Sequence, residues 1–410
     1  MKDYKYVIVG SSIASVSAVK ALRKVDADGS LAIISEEANP TYSRPLIYEF
    51  LCKKMKEKEL NFCESDFFSL FKAEPVLGVR AEAIHTGACK VHLSNGDEIG
   101  YQKLLIATGG KPITPPIKGL DFKNVFHFTN LSDAKKIARS LPTIQTCLVI
   151  GGGLIGLQAA EAFLNMDKKV HVVELLDRLL APILDKEGSA VARDVFSRQG
   201  AAIHTSVAAQ EIIGGANKKV RAVKLNNGEE IPTDLVVVAV GVRPNTDLVQ
   251  GTKIAVNKGI MVDEHMETSV KGIYAAGDAA EGLDLIAHAR RPILTWSNGY
   301  AQGRIAGANM AGSRTEFLGG LAQNTAKHFD VSFASAGLHT PPEGQGFEVL
   351  SELSPDRKFY KKLVVKDNRV VGLIGIGKPV ERSGVFLGLI RSGTSVDGLL
   401  PSLFQKWGRT

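Results

Sequence analysis

The chain has 410 residues, more than one hydrophobic core usually serves, so two or three domains are expected. Apolar residues make up 44% and charged residues 23%, which is typical of a folded globular protein. The formal net charge of +7 is mild, and no Lys/Arg tract interleaved with aromatic residues suggests nucleic acid. No apolar stretch reaches the roughly 18 residues of a membrane span. We therefore predict a cytoplasmic protein with neither nucleic acid nor membrane as partner.

The N-terminus predicts a strand, a loop and a helix. The strand is Tyr6–Val9, and Gly10, Ser12 and Ser15 then occupy the three glycine positions of a G-x-G-x-x-G loop. Such a loop turns tightly, lets the backbone approach a pyrophosphate, and opens a helix whose N-terminus attracts phosphate. A Cβ at Ser12 would crowd that approach, although its hydroxyl could donate to phosphate. Glu36, after the next strand, is placed to hold an adenosine ribose.

The segment 39–70 is predicted to be helical with polar loops, and 76–106 to form strands around a turn at Asn95–Asp97. Within the first, the lysine-rich run Lys53–Lys58 is interpreted as a solvated helix face. The alternative is a landing patch for an acidic electron-carrier protein, because complementary fields raise association rates. The N-terminal Lys2 and Lys5 precede an apolar run, but that run is the predicted first strand, so no cleaved signal is expected.

A second and complete loop follows the strand Cys147–Ile150. Gly151, Gly153 and Gly156 occupy its three positions, and Leu157–Leu164 is predicted to be the helix that follows. Glu174 ends the next strand and supplies the ribose-binding carboxylate. A glycine-rich turn without a ligand rarely has strand, helix and acid all in place, so this unit predicts a bound dinucleotide.

Three further apolar strands break into glycine turns. They are Leu104–Gly110, Gly241–Asn245 after the strand Leu235–Val240, and Gly272–Asp278. With these motifs the chain resembles the FAD-dependent pyridine nucleotide–disulfide oxidoreductases, over about residues 4–400. The branch it resembles most comprises the NADH:rubredoxin and NADH:ferredoxin reductases and the flavoprotein module of NADH-nitrite reductases.

The resemblance implies an α/β fold with two Rossmann-like domains, the NAD domain inserted in the FAD domain, and a C-terminal α+β interface domain. The implied bounds are 1–110 and 242–318 for the FAD domain, 111–241 for the NAD(H) domain and 319–410 for the interface domain. In the C-terminal part the sequence itself predicts strands 361–365 and 370–374 around the turn Asp367–Asn368, and a helix at Val385–Arg391.

The resemblance also assigns roles to individual residues. Asp278 would hold the flavin ribityl chain, Arg44 would contact FAD, and Trp296 would lie beside the isoalloxazine. The complete set of residues expected to bind FAD or NAD(H) is Gly10, Ser12, Ser15, Glu36, Arg44, Ala81, Ala107, Thr108, Gly109, Gly151, Gly153, Ile155, Gly156, Glu174, Gly241, Gly277, Asp278 and Trp296.

Two positions depart from the family pattern. Relatives in the oxygenase-coupled branch carry a lysine five residues after the arginine, near flavin N5, paired with a glutamate in the second loop's helix. Here these positions are Glu49 and Gln158, which we predict as catalytic residues. Because both have changed, no unpaired buried charge remains. If the two still meet, they would form a carboxylate–amide hydrogen bond.

The cysteines and histidines suggest no further chemistry. Cys52, Cys63, Cys89 and Cys147 form no C-x-x-C pair, and the segment Asn39–Pro45 lacks the single redox cysteine of other relatives. No metal-ligand spacing is present. His288 and His328 are expected to have ordinary structural roles. Electrons would then leave the flavin directly, without a thiol relay.

We therefore predict an FAD-dependent oxidoreductase in which NADH delivers hydride to flavin N5. The expected partner is an iron–sulfur carrier of ferredoxin or rubredoxin type, free or as a subunit of an enzyme such as carbon monoxide dehydrogenase or nitrite reductase. Two alternatives stay open: an NADH oxidase that reduces O₂ at the flavin, and an NADH-responsive signalling flavoprotein. A homodimer and a complex with an iron–sulfur subunit both fit the sequence.

Overall fold

The computed structural model describes residues 2–39, 41–215 and 217–408. The chain divides into two compact units, each built from separate segments. Unit 1 comprises Met1–Ser43, Glu57–Lys111 and Val242–Ala322, and unit 2 comprises Arg44–Lys56, Pro112–Gly241 and Gln323–Thr410. The last segment thus groups with the predicted NAD(H) domain, and the bounds of the three predicted domains stay predictions.

The strands follow one another along the whole chain. In chain order they are β1 Lys2–Val9, β2 Leu31–Ser35, β3 Ala73–Leu77, β4 Ala81–His85, β5 Lys90–Leu93, β6 Glu98–Ile106, β7 Gly110–Pro112, β8 Val125–Phe126, β9 Thr146–Ile150, β10 Lys169–Glu174, β11 Ala202–Thr205, β12 Ala209–Gly214, β13 Val220–Leu225, β14 Glu230–Pro232, β15 Leu235–Val238, β16 Val242–Pro244, β17 Ile260–Met261, β18 Ile273–Ala275, β19 Ala280–Leu283, β20 Arg290–Arg291, β21 Gln323–His328, β22 Val331–Gly337, β23 Glu348–Leu353, β24 Tyr360–Lys366 and β25 Arg369–Ile376.

The helices are α1 Ile13–Val25, α2 Ile47–Leu51, α3 Phe67–Leu70, α4 Leu131–Ser140, α5 Leu154–Leu164, α6 Lys186–Arg198, α7 Trp296–Met310, α8 Ser383–Ser392 and α9 Leu400–Lys406. In the described part of the chain, none is long and apolar enough to cross a membrane. The prediction of an α-helical face over Lys53–Lys58 was wrong, because α2 ends at Leu51, the first three lysines lie in non-helical turns, and Lys58 lies in a short 3-10 helix at Glu57–Leu60. The four lysines are exposed, as expected. Pro40, in the same predicted helical segment, lies outside the described residues.

Unit 1 is built on a sheet with the strand order β3-β2-β1-β6-β5-β4, and β18 pairs with β6. The strands β1, β2, β3, β6 and β18 run parallel, whereas β4 and β5 form an antiparallel extension. The central parallel strands are almost continuously apolar because helices and loops cover both faces, as is usual for parallel sheets.

Helices α1 and α7 of unit 1 pack closely through small residues. A Cβ at Gly303 would lie 2.0 Å from the carbonyl oxygen of Ala14, and one at Gly307 would lie 2.1 Å from that of Ala18. Each pair of positions is four residues apart, so both lie on one helix face. The glycines of α7 therefore allow its close packing against α1, the helix that follows the first nucleotide loop.

Unit 2 contains a parallel sheet with the order β11-β10-β9-β15-β8 and an antiparallel sheet of β12, β13 and β14. Its C-terminal part is an antiparallel sheet with the order β21-β22-β25-β24-β23. Asp367 and Asn368 both have positive φ in the hairpin between β24 and β25, at the predicted turn. Lys361 is 1% exposed and donates to the carbonyl oxygens of Phe404 and Trp407, which fixes the end of α9.

We expect Gly307→Ala to lower the unfolding midpoint in urea by an amount equivalent to about 1–3 kcal/mol, because the added Cβ meets backbone rather than a movable side chain. Gly388→Ala is the matched control, since Gly388 lies in α8 and a Cβ added there would have no atom within 4 Å. That change should leave stability unchanged or raise it by about 0.5–1 kcal/mol. Equal midpoints for the two variants would contradict the close packing.

Candidate dinucleotide-binding sites

The register of the unit 1 sheet gathers four motifs at one edge. Val9 pairs with Ile34 on one side and with Ile106 on the other, and Ile106 pairs with Ala275. These residues end or nearly end their strands, so the segments that follow leave the same carboxyl edge. The segments contain Gly10, Glu36, Ala107–Gly109 and Gly277–Asp278. Such an edge, next to a strand with neighbours on both sides, is where open α/β sheets bind ligands.

Gly10 explains why the first loop and the Ala107-Thr108-Gly109 motif occur together. Its φ is +120°, and a Cβ would lie 2.1 Å from the carbonyl oxygen of Ala107. The amide of Ala107 in turn donates to the carbonyl of Val9. The turn therefore needs glycine both for its backbone conformation and for the close approach of the neighbouring strand.

The N-terminus of α1 has the features of a phosphate site. Ser12 is its N-cap in extended conformation, and its side chain makes no capping hydrogen bond. Ser15 is buried, and its Oγ has no partner among the described residues. Gly109, with φ +70°, has open space where a Cβ would stand. The amides of the helix N-terminus, the unpaired Ser15 hydroxyl and the open space beside Gly109 together fit a pyrophosphate.

The remaining motifs of this edge are tied together by hydrogen bonds. Thr108 Oγ1 donates to the Asn245 carbonyl at 2.7 Å, and the Asn245 amide donates to the Gly109 carbonyl at 2.9 Å. A Cβ at Gly110 would lie 3.5 Å from Asp278 Oδ2, so Asp278 stands beside the crossing segment. Glu36 is exposed directly after β2, and Ala81 is the half-buried first residue of β4.

Helix α7 presents a third N-terminus in unit 1. Thr295 is its N-cap, and the buried Oγ1 of Thr295 has no partner among the described residues. Trp296 begins the helix, half-buried, in edge-to-face contact with Phe62 at a centroid distance of 5.1 Å. The amide of Gly277 donates to Gln302 Oε1 of the same helix at 2.9 Å. An unpaired donor at a helix N-terminus fits an acceptor oxygen or nitrogen at the edge of a planar ring, and an adjacent aromatic side chain can pack against the ring itself.

Unit 2 repeats the arrangement. Ile150 pairs with Val173 and Val238, so Gly151, Glu174 and the segment before Gly241 follow adjacent strand ends. Gly151 has φ +112°, and its Cβ would lie 2.3 Å from the Ala239 carbonyl oxygen.

The second and third glycine positions of this loop, Gly153 and Gly156, differ in the space available for a side chain. A Cβ at Gly156 would lie 1.9 Å from the Gly151 carbonyl, so this glycine is needed for packing. At Gly153, the N-cap of α5, nothing lies within 4 Å of a Cβ, which leaves the approach that a pyrophosphate requires. Ile155 is half-buried in the first turn of the same helix.

The carboxylate of Glu174 contacts the loop itself. Oε2 accepts the Gly152 amide at 2.6 Å and Oε1 accepts the Leu176 amide at 2.8 Å. The remaining lone pairs could accept ribose hydroxyls. Gly241 has φ +111°, and its carbonyl accepts the Ile113 amide at 3.0 Å.

Three predicted residues lie elsewhere in unit 2. Arg44 begins a 3-10 turn and donates from Nη1 to the Thr129 carbonyl at 3.0 Å. Glu49, in α2, lies 4.0 Å from Lys54 Nζ. Among the described residues no hydrogen bond joins Glu49 to Gln158, although both side chains are half-buried.

A buried polar cluster that the sequence analysis missed lies beside those two positions. Glu161, one turn after Gln158 in α5, accepts the Tyr48 hydroxyl at 2.8 Å, His328 Nδ1 at 2.8 Å and the Phe329 amide at 2.9 Å. Burial would raise the pKa of Glu161, but these donors outweigh it and lower the pKa below its ordinary value. The available signal was a carboxylate on a helix that is otherwise almost entirely apolar, since such a group needs partners.

The four cysteines are free, and burial raises the pKa of three thiols: to about 11 for Cys52 and Cys63, and to about 12 for Cys147. Such thiols carry very little thiolate near neutral pH. Among the described residues no group of three or more His, Cys, Asp or Glu side chains is placed to hold a metal ion.

Comparison with known proteins agrees with this geometry. Residues 4–303 match the pyridine nucleotide-disulphide oxidoreductase family, and residues 323–394 match the rubredoxin NAD+ reductase C-terminal domain. The chain is 29% identical to the NADH-dependent phenylglyoxylate dehydrogenase subunit epsilon of Aromatoleum evansii, over 96% of this chain and 93% of that subunit. It is 30% identical to the nitrite reductase of Bacillus subtilis over 100% of its own length but only 50% of that enzyme. The crystal structure of NADH:rubredoxin oxidoreductase from Clostridium acetobutylicum is 26% identical, with 97% of each chain covered and a TM-score of 0.77.

The predicted fold class and family are thereby confirmed, because the family match spans both dinucleotide-binding edges and a separate match covers most of the C-terminal sheet. The chain belongs to the pyridine nucleotide-disulphide oxidoreductase family and is an NADH-dependent oxidoreductase with FAD and NAD(H) as cofactors.

Proposed function

We propose that this enzyme oxidises NADH and passes the electrons through FAD to a small iron–sulfur protein. The observation that carries the proposal is the state of the cysteines: all four are free, and three have thiols whose pKa is raised by burial. A thiol relay needs an activated thiolate. The fourth cysteine, Cys89, is exposed in the turn between β4 and β5 and has no second cysteine beside it in the sequence. We therefore expect electrons to leave the flavin without a thiol relay.

The number of electrons transferred suits an iron–sulfur protein as the partner. One NADH yields NAD+, one proton and two electrons, and two one-electron iron–sulfur carriers are reduced. When bound, FAD would supply the conversion from a two-electron donor to one-electron acceptors, because a flavin can take a hydride and give up electrons singly. Relatives are named for rubredoxin reduction and for a multisubunit phenylglyoxylate dehydrogenase, which supports either a free carrier or an iron–sulfur subunit. We place the reaction in the cytoplasm.

The roles of the chain's own residues follow from the two edges. In unit 1 the N-terminus of α1, with Gly10, Ser12, Ser15 and Gly109, would take the FAD pyrophosphate, and Asp278 would accept the ribityl hydroxyls. Other expected FAD contacts in this unit are Glu36, Ala81, Ala107, Thr108, Gly277 and Trp296.

In unit 2 the N-terminus of α5, with Gly151, Gly153, Ile155 and Gly156, would take the NADH pyrophosphate, with Glu174 and Gly241 at its side. Arg44 remains an expected FAD contact. Glu49 and Gln158 remain the residues expected at the reacting rings.

Gly153→Ala should weaken NADH binding without disturbing the fold. The protein itself leaves space for the added Cβ, so only a ligand approaching the loop would meet it. We expect the KM for NADH to rise about tenfold or more, equivalent to about 1.4 kcal/mol, with FAD content and thermal stability unchanged. Gly87→Ala, at another open glycine, should alter neither quantity. An unchanged KM in Gly153→Ala would show that the NADH pyrophosphate does not bind at this loop.

Asp278→Ala should lose FAD on desalting, because the half-buried carboxylate expected to accept the ribityl hydroxyls is removed. The readout is the flavin absorbance per mole of protein after gel filtration. Asp66→Ala, at an exposed aspartate of the same unit, should retain full flavin. If Asp278→Ala retained full yellow colour, another residue would have to bind the ribityl chain.

A variant with all four cysteines changed to serine should still reduce a ferredoxin or rubredoxin with NADH. If encounter is electrostatically steered, the second-order rate should fall as salt rises, since the Debye length contracts from about 30 Å at 0.01 M to about 10 Å at 0.1 M. The rate at which NADH reduces the flavin should depend much less on the salt concentration. If the cysteine-free variant binds FAD but no longer reduces the carrier, a cysteine takes part in electron transfer and the proposal of direct transfer from the flavin is wrong.

A further inference from the structure

A β-hairpin of unit 1 lies in the chain between two predicted flavin contacts, Asp278 and Trp296. It consists of β19 and β20, in which Leu283 pairs with Arg290 and Gly282 pairs with Arg291. The hairpin begins two residues after Asp278 and ends five residues before Trp296. At a maximum of about 3.6 Å per residue, Leu283 lies within roughly 18 Å of Asp278, and Arg291 within roughly 18 Å of Trp296. Both strands are thus tethered to residues expected at the flavin.

The loop of this hairpin is held by a buried carboxylate. Asp284 is 1% exposed, and its Oδ1 accepts the amides of Ile286 and Ala287 at 2.8 and 2.7 Å. Its Oδ2 accepts Arg291 Nε and Nη2 at 2.7 and 2.6 Å. Arg291 thereby neutralises Asp284. The guanidinium of Arg290 is exposed and has no hydrogen bond or ion pair among the described residues, so it presents an uncompensated positive charge.

Two exposed leucines belong to this hairpin and to the segment beside it: Leu283 is the cross-strand partner of Arg290, and Leu318 lies on the neighbouring segment. The carbonyl of Leu283 accepts the Gly320 amide at 2.8 Å, and the Leu285 amide donates to the Gly320 carbonyl at 2.8 Å, so a third segment runs alongside β19. Leu318, two residues before Gly320, is 77% exposed, the highest value among the large apolar side chains of the described residues. Leu283 is 39% exposed. Nearby, the exposed Arg314 and Glu316 offset each other.

We propose that the surface formed by Leu283, Arg290 and Leu318 docks a small acidic iron–sulfur protein. This inference rests on the proposed function. Exposed apolar side chains with cations around them are typical of a protein interface, in which the apolar part is desolvated and the charges select the partner. A second copy of this chain fits less well, because a two-fold contact centred here would place Arg290 close to its own equivalent.

The test compares three variants in NADH-dependent reduction of an acidic rubredoxin and an acidic [2Fe–2S] ferredoxin. At low salt Arg290→Glu should lower kcat/KM for the carriers about tenfold or more, and the loss should shrink as salt is raised. Leu318→Ser should lower it about threefold to tenfold at every salt concentration. Lys253→Glu carries the same charge change at another exposed site of unit 1 and should have less than about a twofold effect.

Controls separate docking from chemistry and from folding. NADH–ferricyanide activity and FAD content should be the same in all variants, and Leu318→Ser is expected to fold normally because its side chain is largely in solvent. If the unmodified enzyme reduces neither carrier, the proposed function fails. If it reduces them and the Arg290 and Leu318 variants do so equally well, or if Lys253→Glu is equally impaired, the docking surface is wrong and the proposed function stands.

Discussion

The constraint on which both cofactor sites depend is the absence of a Cβ at the first glycine of each loop. Gly10 lies against the carbonyl of Ala107, and Gly151 lies against that of Ala239. Each contact joins the end of a central strand to the end of its neighbour, and the helix proposed to bind phosphate starts from the same turn. A methyl group at either position would meet backbone at about 2 Å, so the turn, the strand spacing and the helix direction would have to change together. The two units solve one packing problem in the same way.

This comparison also accounts for one departure in the first loop. Ser12 stands where the second loop has Gly153, and Gly153 is surrounded by open space. A side chain is therefore compatible with the protein at that position, and any conflict would arise with the ligand alone. Ser15 stands where the second loop has the crowded Gly156, and it is nevertheless buried within α1. The structure gives no physical reason for that second exchange.

Unit 2 depends in addition on two buried carboxylates. Glu161 joins α2, α5 and the end of β21 through Tyr48, His328 and Phe329. Asp185 caps α6 by accepting the Gly188 amide, and it also accepts the Tyr360 hydroxyl and the Lys362 ammonium group from β24. Removing one partner of such a buried pair commonly costs about 3–5 kcal/mol, because the remaining charge stays desolvated. These contacts connect the C-terminal sheet to helices α2, α5 and α6 of the same unit.

Local patterns explain what could be predicted from the sequence. The glycine loops and the turn at Asp367–Asn368 are each determined within a few residues, because they express backbone requirements. The roles of Glu36 and Glu174 toward ribose stay predictions. The pairing of Glu161 with His328 spans 167 residues, and nothing near either residue points to the other. His328 was accordingly assigned a generic structural role, which understated it. The helix predicted at Lys53–Lys58 failed because composition suggested a solvated face but no periodic apolar face existed to pack.

Stopped-flow spectroscopy under anaerobic conditions tests most directly whether electrons go from NADH through FAD to an iron–sulfur protein. The purified enzyme is reduced with one equivalent of NADH and then mixed with an oxidised ferredoxin, an oxidised rubredoxin or oxygenated buffer. We expect the absorbance of oxidised flavin to return fastest with an iron–sulfur carrier, and two carriers to be reduced per NADH. Rapid reoxidation by O₂ together with no reaction with either carrier would contradict this expectation and would identify an NADH oxidase.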